Sequence, residues 1–127
     1  MRTLLLAVAM VMFAGASALA VHQQGPAQPD TSAITVATVD LGRAIFHGKG
    51  TCFACHGQKL EGSQMAPTLM PHAWRDAKNG EFAAIYYVAT HGVPSTLMVA
   101  RPGGITPAEA IAVASYVWSV SRGKVKP

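Results

Sequence analysis

The sequence predicts an all-α fold. Three observations point there. No segment alternates apolar and polar residues over strand length. Thr106-Pro107-Ala108-Glu109 is a complete helix-start signature, a capping box with proline at the first helical position. Apolar residues recur at helical spacing after it, and again ahead of Gly92.

Taken in order, Asp40 to His47 is expected as a short first helix. Thr38 or Asp40 would cap it, Leu41, Ile45 and Phe46 would face inward, and Gly48 and Gly50 would end it. The stretch from Gly57 to Pro71 has no period and contains Gly62 and Pro67, so it reads as a loop. Asn79 is the expected cap of a helix over about residues 80–91, with Phe82, Ile85, Tyr86 and Ala89 on one face. Gly92 would end it in a left-handed conformation. Val93 to Ile105 reads as a second loop, carrying Pro94, Met98, Pro102 and Gly103-Gly104. In the last helix Ile111, Ala114, Ser115 and Trp118 share a face, with Val113, Tyr116, Val117 and Val120 beside it, and Gly123 can stop it.

Residues 1–20 read as an export signal: Arg2, the apolar run Leu4 to Ala14, and Ala18-Leu19-Ala20 as a cleavage site. The competing reading is an uncleaved membrane anchor, because residues 4–21 hold no charge. Residues 21–37 contain Pro26, Pro29 and three glutamines without an apolar period, and read as a flexible leader. The remainder, 38–124, is expected as one small domain in an exported, periplasmic or otherwise extracytoplasmic protein.

Ten Lys and Arg stand against six Asp and Glu, for a formal net charge of +4. There is no basic run, so nucleic acid is not an expected partner. Arg122, Lys124 and Lys126 form a loose basic tail, read as solvated or as a weak contact for an acidic redox partner.

The chemistry is concentrated in Cys52-Phe53-Ala54-Cys55-His56, which holds the only two cysteines in the chain. C-x-x-C-H is the attachment signature of a c-type haem. Two cysteines three apart lie on one side of a helical turn, so both sulfurs can bond to one porphyrin edge. His56 follows at once and can bind the iron. A redox disulfide would want a βαβ pattern and gives His56 no role. A zinc site would need further ligands, for which His72 and His91 stand at odd spacing. A large apolar cofactor would also fill the centre of a domain this small, so the form without it is expected to fold poorly.

A six-coordinate iron needs a ligand from the opposite side. The candidates are Met65, Met70, Met98, His47, His72 and His91. Met65 and Met70 lie in the loop that must first run along the His56 side. Met98 lies forty-two residues beyond His56, past an intervening helix, with enough chain to reach the far face. Methionine ligation raises the reduction potential relative to a second histidine.

From about Asp40 to Gly123 the sequence resembles the small mono-haem class I cytochromes c. Gly42 and Phe46 precede the haem motif, Ala66-Pro67-Thr68-Leu69 follows it, Met98 sits in a loop, and Tyr116-Val117-Trp118 lies in the last helix. The resemblance implies N- and C-terminal helices crossing around one covalently bound haem c. Gly42 and Phe46 would cross Val113 and Tyr116. Pro67 would offer its carbonyl to the free ring nitrogen of His56, and Leu69 would pack on the ring. Trp74 and Arg75 would either approach a propionate or stand as a surface aromatic and a solvated arginine. Two features depart from the family: Met98 is followed by Val99 rather than proline, and Cys52 lies six positions after Phe46. The implied function is electron transfer by a carrier that is not itself an enzyme. Its donor and acceptor would be redox proteins, membrane-bound ones included. The alternatives are a haem module of a multi-subunit oxidoreductase, or a five-coordinate gas-binding or peroxidase-like protein.

Overall fold

The computed structural model describes residues 29–71 and 74–127. The expected export signal lies outside the described residues, as do most of the leader and His72. Among the described residues there are four α-helices and no strand: α1 (Val36–His47), α2 (Phe53–His56), α3 (Phe82–His91) and α4 (Pro107–Ser121). Short 3₁₀ turns at Thr31–Ala33, Lys78–Gly80 and Pro102–Gly104 join them.

The first helix starts at Val36, four residues earlier than expected. Its cap is Thr35, not Thr38 or Asp40. Thr38 instead completes the box: its N–H donates to Thr35 Oγ1 at 3.1 Å, and the Thr35 N–H donates to Thr38 Oγ1 at 2.8 Å. A threonine here does the work usually given to Glu or Gln, so the usual box pattern is absent from the sequence. Leu41 does not face inward; it is 51% exposed, while Val39, Gly42, Ile45 and Phe46 are buried. The inward stripe follows Gly42, where α1 meets α4. A Cβ on Gly42 would lie 1.9 Å from the Ala112 carbonyl oxygen and 2.9 Å from the Tyr116 Cβ. The helices approach backbone to backbone, as only glycine permits, with Gly42 set against Ala112 and Tyr116.

Phe46 then packs edge-on against Tyr116, with ring centroids 5.6 Å apart. On the other side of α4, Phe82, Ile85 and Ala89 bury the inner face of α3. Asn79 is not the cap of α3. It adopts a left-handed conformation (φ 51°) inside the preceding 3₁₀ turn, and Glu81 occupies the cap position without a side-chain bond. Asparagine tolerates that conformation as readily as it caps, and the two uses look alike in sequence.

Helix α4 begins as its signature predicts. Glu109 N–H donates to Thr106 Oγ1 at 3.2 Å and Thr106 N–H donates to Glu109 Oε2 at 2.7 Å. It is the central helix: after its exposed first residues, Pro107 and Ala108, it is buried nearly all round, with Ile111 and Trp118 half-buried. Sandwiched between α1 and α3, it has no single inward stripe. Gly123 follows the helix with φ 66°, its N–H on the Val120 carbonyl.

Candidate functional site

After α1 the chain reverses over Gly48–Thr51: Gly50 N–H donates to the Ile45 carbonyl at 2.8 Å and Thr51 N–H to the Gly48 carbonyl at 2.9 Å. Thr51 is held at φ 52°, a strained conformation for a β-branched residue. Thr51 also lines the cleft. This turn is where the extra spacing between Phe46 and Cys52 goes. It delivers the chain into α2, a single helical turn with Cys52 at its cap and His56 at its end.

The loop that follows has no sequence period, yet it is well anchored. Leu60 is fully buried at φ 61°, and its carbonyl accepts from Leu69 N–H at 2.8 Å and Thr68 Oγ1 at 3.1 Å. Ser63 Oγ donates to the Cys55 carbonyl at 2.7 Å. These bonds set Pro67 beside the histidine, whose Nδ1 donates to the Pro67 carbonyl at 2.8 Å. A carbonyl can only accept, so Nδ1 carries the proton and Nε2 keeps its lone pair. Burial holds His56 below the ordinary histidine range, against the opposing effect of the Pro67 bond. The ring is therefore neutral and able to bind a metal.

The second loop is shaped by Gly92, whose φ of 72° and ψ of −170° suit glycine alone. A Cβ there would lie 2.5 Å from the Met98 carbonyl oxygen. The loop folds back on the end of α3: Val93 N–H donates to the Met98 carbonyl at 2.8 Å, and Arg101 N–H to the Ala89 carbonyl at 3.0 Å.

The two loops and α2 close on one cleft of about 300 Å³. Cys52, Cys55, His56, Pro67, Leu69 and Met98 all line it. Ile85 from α3 and Val113 and Val117 from α4 form its apolar back wall. Trp74 and Arg75 line it as well. Met65, Leu97 and Val99, each more than half exposed, stand at its mouth, and sequence reasoning gave Leu97 and Val99 no role. Met70 is not among the lining residues, nor are His47 and His91. The His47 ring nitrogens lie 3.0 Å from the Arg43 carbonyl and 2.9 Å from the Gln58 carbonyl, and His91 stacks on Tyr87.

Burial pushes the Cys52 thiol up to about 11, with Cys55 adding to the shift. A redox cysteine needs the opposite displacement, so Cys52 is poorly suited to thiol exchange. Among the described residues no group of three His, Cys, Asp or Glu could hold a metal ion. Two thiols on one turn, a neutral imidazole and an apolar back wall do fit a porphyrin joined by two thioethers.

Solved structures carry the same fold. Cytochrome cL of Methylophaga aminisulfidivorans is 24% identical with a TM-score of 0.58, covering 67% of this chain and 56% of its own. A chain of the reducing HAO-like protein complex of Kuenenia stuttgartiensis is 19% identical with a TM-score of 0.59, covering 68% and 45%. The dihydro-heme d1 dehydrogenase NirN is 31% identical with a TM-score of 0.50, covering 61% of this chain and 16% of its own. The protein thus spans about half of the cytochrome cL length. None of the curated proteins matches it. The cytochrome c family pattern matches residues 39–121, more than half of the sequence. The protein belongs to the cytochrome c family, whose c-type haem is covalently bound and transfers electrons.

Proposed function

We propose that this protein is an exported electron carrier holding one haem c, tethered through Cys52 and Cys55, with His56 and Met98 as the axial pair. Residues 38–124 form the haem domain, behind a signal (1–20) and a leader (21–37). The observation that carries the reading is that two thiols, the Pro67-bound imidazole and the Met98 loop share one apolar cleft. When bound, the haem supplies a one-electron couple at its iron. The protein does the rest. Pro67 fixes the plane and tautomer of His56, which raises its basicity as a ligand. Leu69, Ile85, Val113 and Val117 exclude water from the cleft and lower its dielectric. The exposed Met65, Leu97 and Val99 at the mouth offer a small apolar contact for brief docking of donor and acceptor proteins.

The test is a visible absorption spectrum of the ferric protein and of Met98→Ala. The weak far-red band of methionine bound to ferric iron is expected in the wild type alone. A band that survives the substitution overturns Met98, and Met65, which also lines the cleft, is then the ligand to examine.

A second reading has its own support. The likeness to NirN covers only 16% of that much longer chain, as a domain within a larger enzyme would. In that reading the protein is a haem module of a multi-subunit oxidoreductase. Size-exclusion of the native protein separates the two: a free carrier elutes alone, a module with its catalytic subunit.

A further inference from the structure

Gly103 and Gly104 are neighbours with nearly the same φ, 65° and 70°, yet their surroundings differ. A Cβ on Gly104 would meet nothing within 4 Å. A Cβ on Gly103 would overlap the Lys49 carbonyl oxygen, lying 2.8 Å from the Lys49 carbonyl carbon and 3.2 Å from the Gly50 Cα. Gly103 is thus seated on the turn that delivers Cys52. That turn has little room to yield. Lys49 pairs with Glu109 at the start of α4, at 2.8 Å, and Gly50 N–H is bonded to the Ile45 carbonyl. The loop is held on its own side: Arg101 N–H is bonded to the Ala89 carbonyl, and Ile105 is buried. A residue in the left-handed region flanks the contact on each segment, Thr51 (φ 52°) and Arg101 (φ 48°). Such conformations persist only where the surrounding structure over-determines them. Thr51, Cys52, Met98 and Pro102 all line the cleft, so the contact spaces the attachment turn from the methionine loop.

We propose that Gly103 is a positioning residue. Its bare Cα, set against the Lys49 carbonyl, fixes the distance between the Cys52 turn and the Met98 loop, and so how firmly Met98 holds the iron. The inference rests on Met98 as the axial ligand. A methyl at position 103 meets backbone, which cannot swing aside, so the two segments must part. With Cys52 tied covalently to the haem, the methionine loop is the side that moves.

The test is imidazole titration of the ferric, haem-loaded protein, followed by its visible spectrum. Imidazole displaces a weakly held methionine: an iron–nitrogen bond forms as the iron–sulfur bond breaks, and no electron moves. Gly103→Ala is expected to bind imidazole at about tenfold lower concentration than wild type. Gly104→Ala carries the same backbone strain without the collision and should stay within about twofold of wild type. In a Met98→Ala background, Gly103→Ala should change nothing further. An unchanged Gly103→Ala, an equal shift in both glycine variants, or a shift that persists without Met98 overturns the proposal. If Met98→Ala alone keeps the far-red band and the wild-type affinity, the axial reading itself has failed, and the proposal falls with it before any glycine is changed. Should Gly103→Ala not take up haem, Pro102→Gly stands in its place, freeing the backbone just ahead of Gly103 without adding a methyl. It should ease imidazole binding in the same direction, again only where Met98 is present, and no change in it overturns the proposal.

Discussion

The bond that orients His56 comes from a main-chain oxygen. Pro67 contributes a carbonyl and a rigid turn, so the site depends on where the loop runs more than on which side chain it carries. Tyr116 is the reverse case. Its ring is wholly buried between Phe46 and the Arg43 guanidinium, yet its hydroxyl has no partner among the described residues. An unsatisfied buried hydroxyl lowers stability, and removing it restores what desolvation cost. Tyr116→Phe is therefore expected to unfold in urea at equal or higher concentration, with stability unchanged or raised by up to about 1 kcal/mol. A loss above about 1 kcal/mol would mean that the hydroxyl is satisfied by bound water.

At the scale of elements, the α1–α4 crossing and the start of α4 carry the argument. In Gly42→Ala the new methyl meets the Ala112 carbonyl, which is backbone and cannot swing aside. The helices must part, and the cost should reach about 2–3 kcal/mol, more than the roughly 1 kcal/mol that alanine returns in helix propensity. Urea unfolding measures it. At the start of α4, Lys49 and the Thr106 backbone hold the Glu109 carboxyl below its usual range. A depressed carboxylate contributes stability that is present above its unfolded value of 4.5 and is lost as pH falls through the lower folded value. Glu109→Gln should thus melt below wild type at neutral pH and converge on it as pH falls below the depressed folded value. A gap that persists in acid would assign the effect to packing instead. The box was legible in the sequence because it depends on a short, directional pattern; the crossing was expected only through the family resemblance. Leu41 was misplaced because no pattern within α1 says which of two adjacent apolar faces its partner covers.

Taken together, the described residues form three longer helices around a cleft, with a single turn of helix and two loops closing it. Its apolar back wall is built from Ile85, Val113 and Val117, residues that would otherwise form the middle of the core. Emptied of a covalent group, such a wall loses its packing partners. Cys52→Ser/Cys55→Ser is expected to lose near-ultraviolet circular dichroism and to melt without a sharp transition. A cooperative transition at the wild-type temperature would show that the helices hold the fold alone.

What the sequence determined by itself is local or covalent in nature. The all-α class, the box that opens α4, the end of α3 at Gly92 and the haem motif each depend on residues within a few positions of one another. Adjacent residues constrain one another whatever surrounds them. The tertiary structure decided the rest: the closeness of Gly42 to Ala112, the anchoring of an aperiodic loop by Leu60, and the convergence of Pro67 and Met98 on one cleft. Those depend on contacts between segments far apart in the chain, which form only when the helices pack and which no short stretch of sequence encodes.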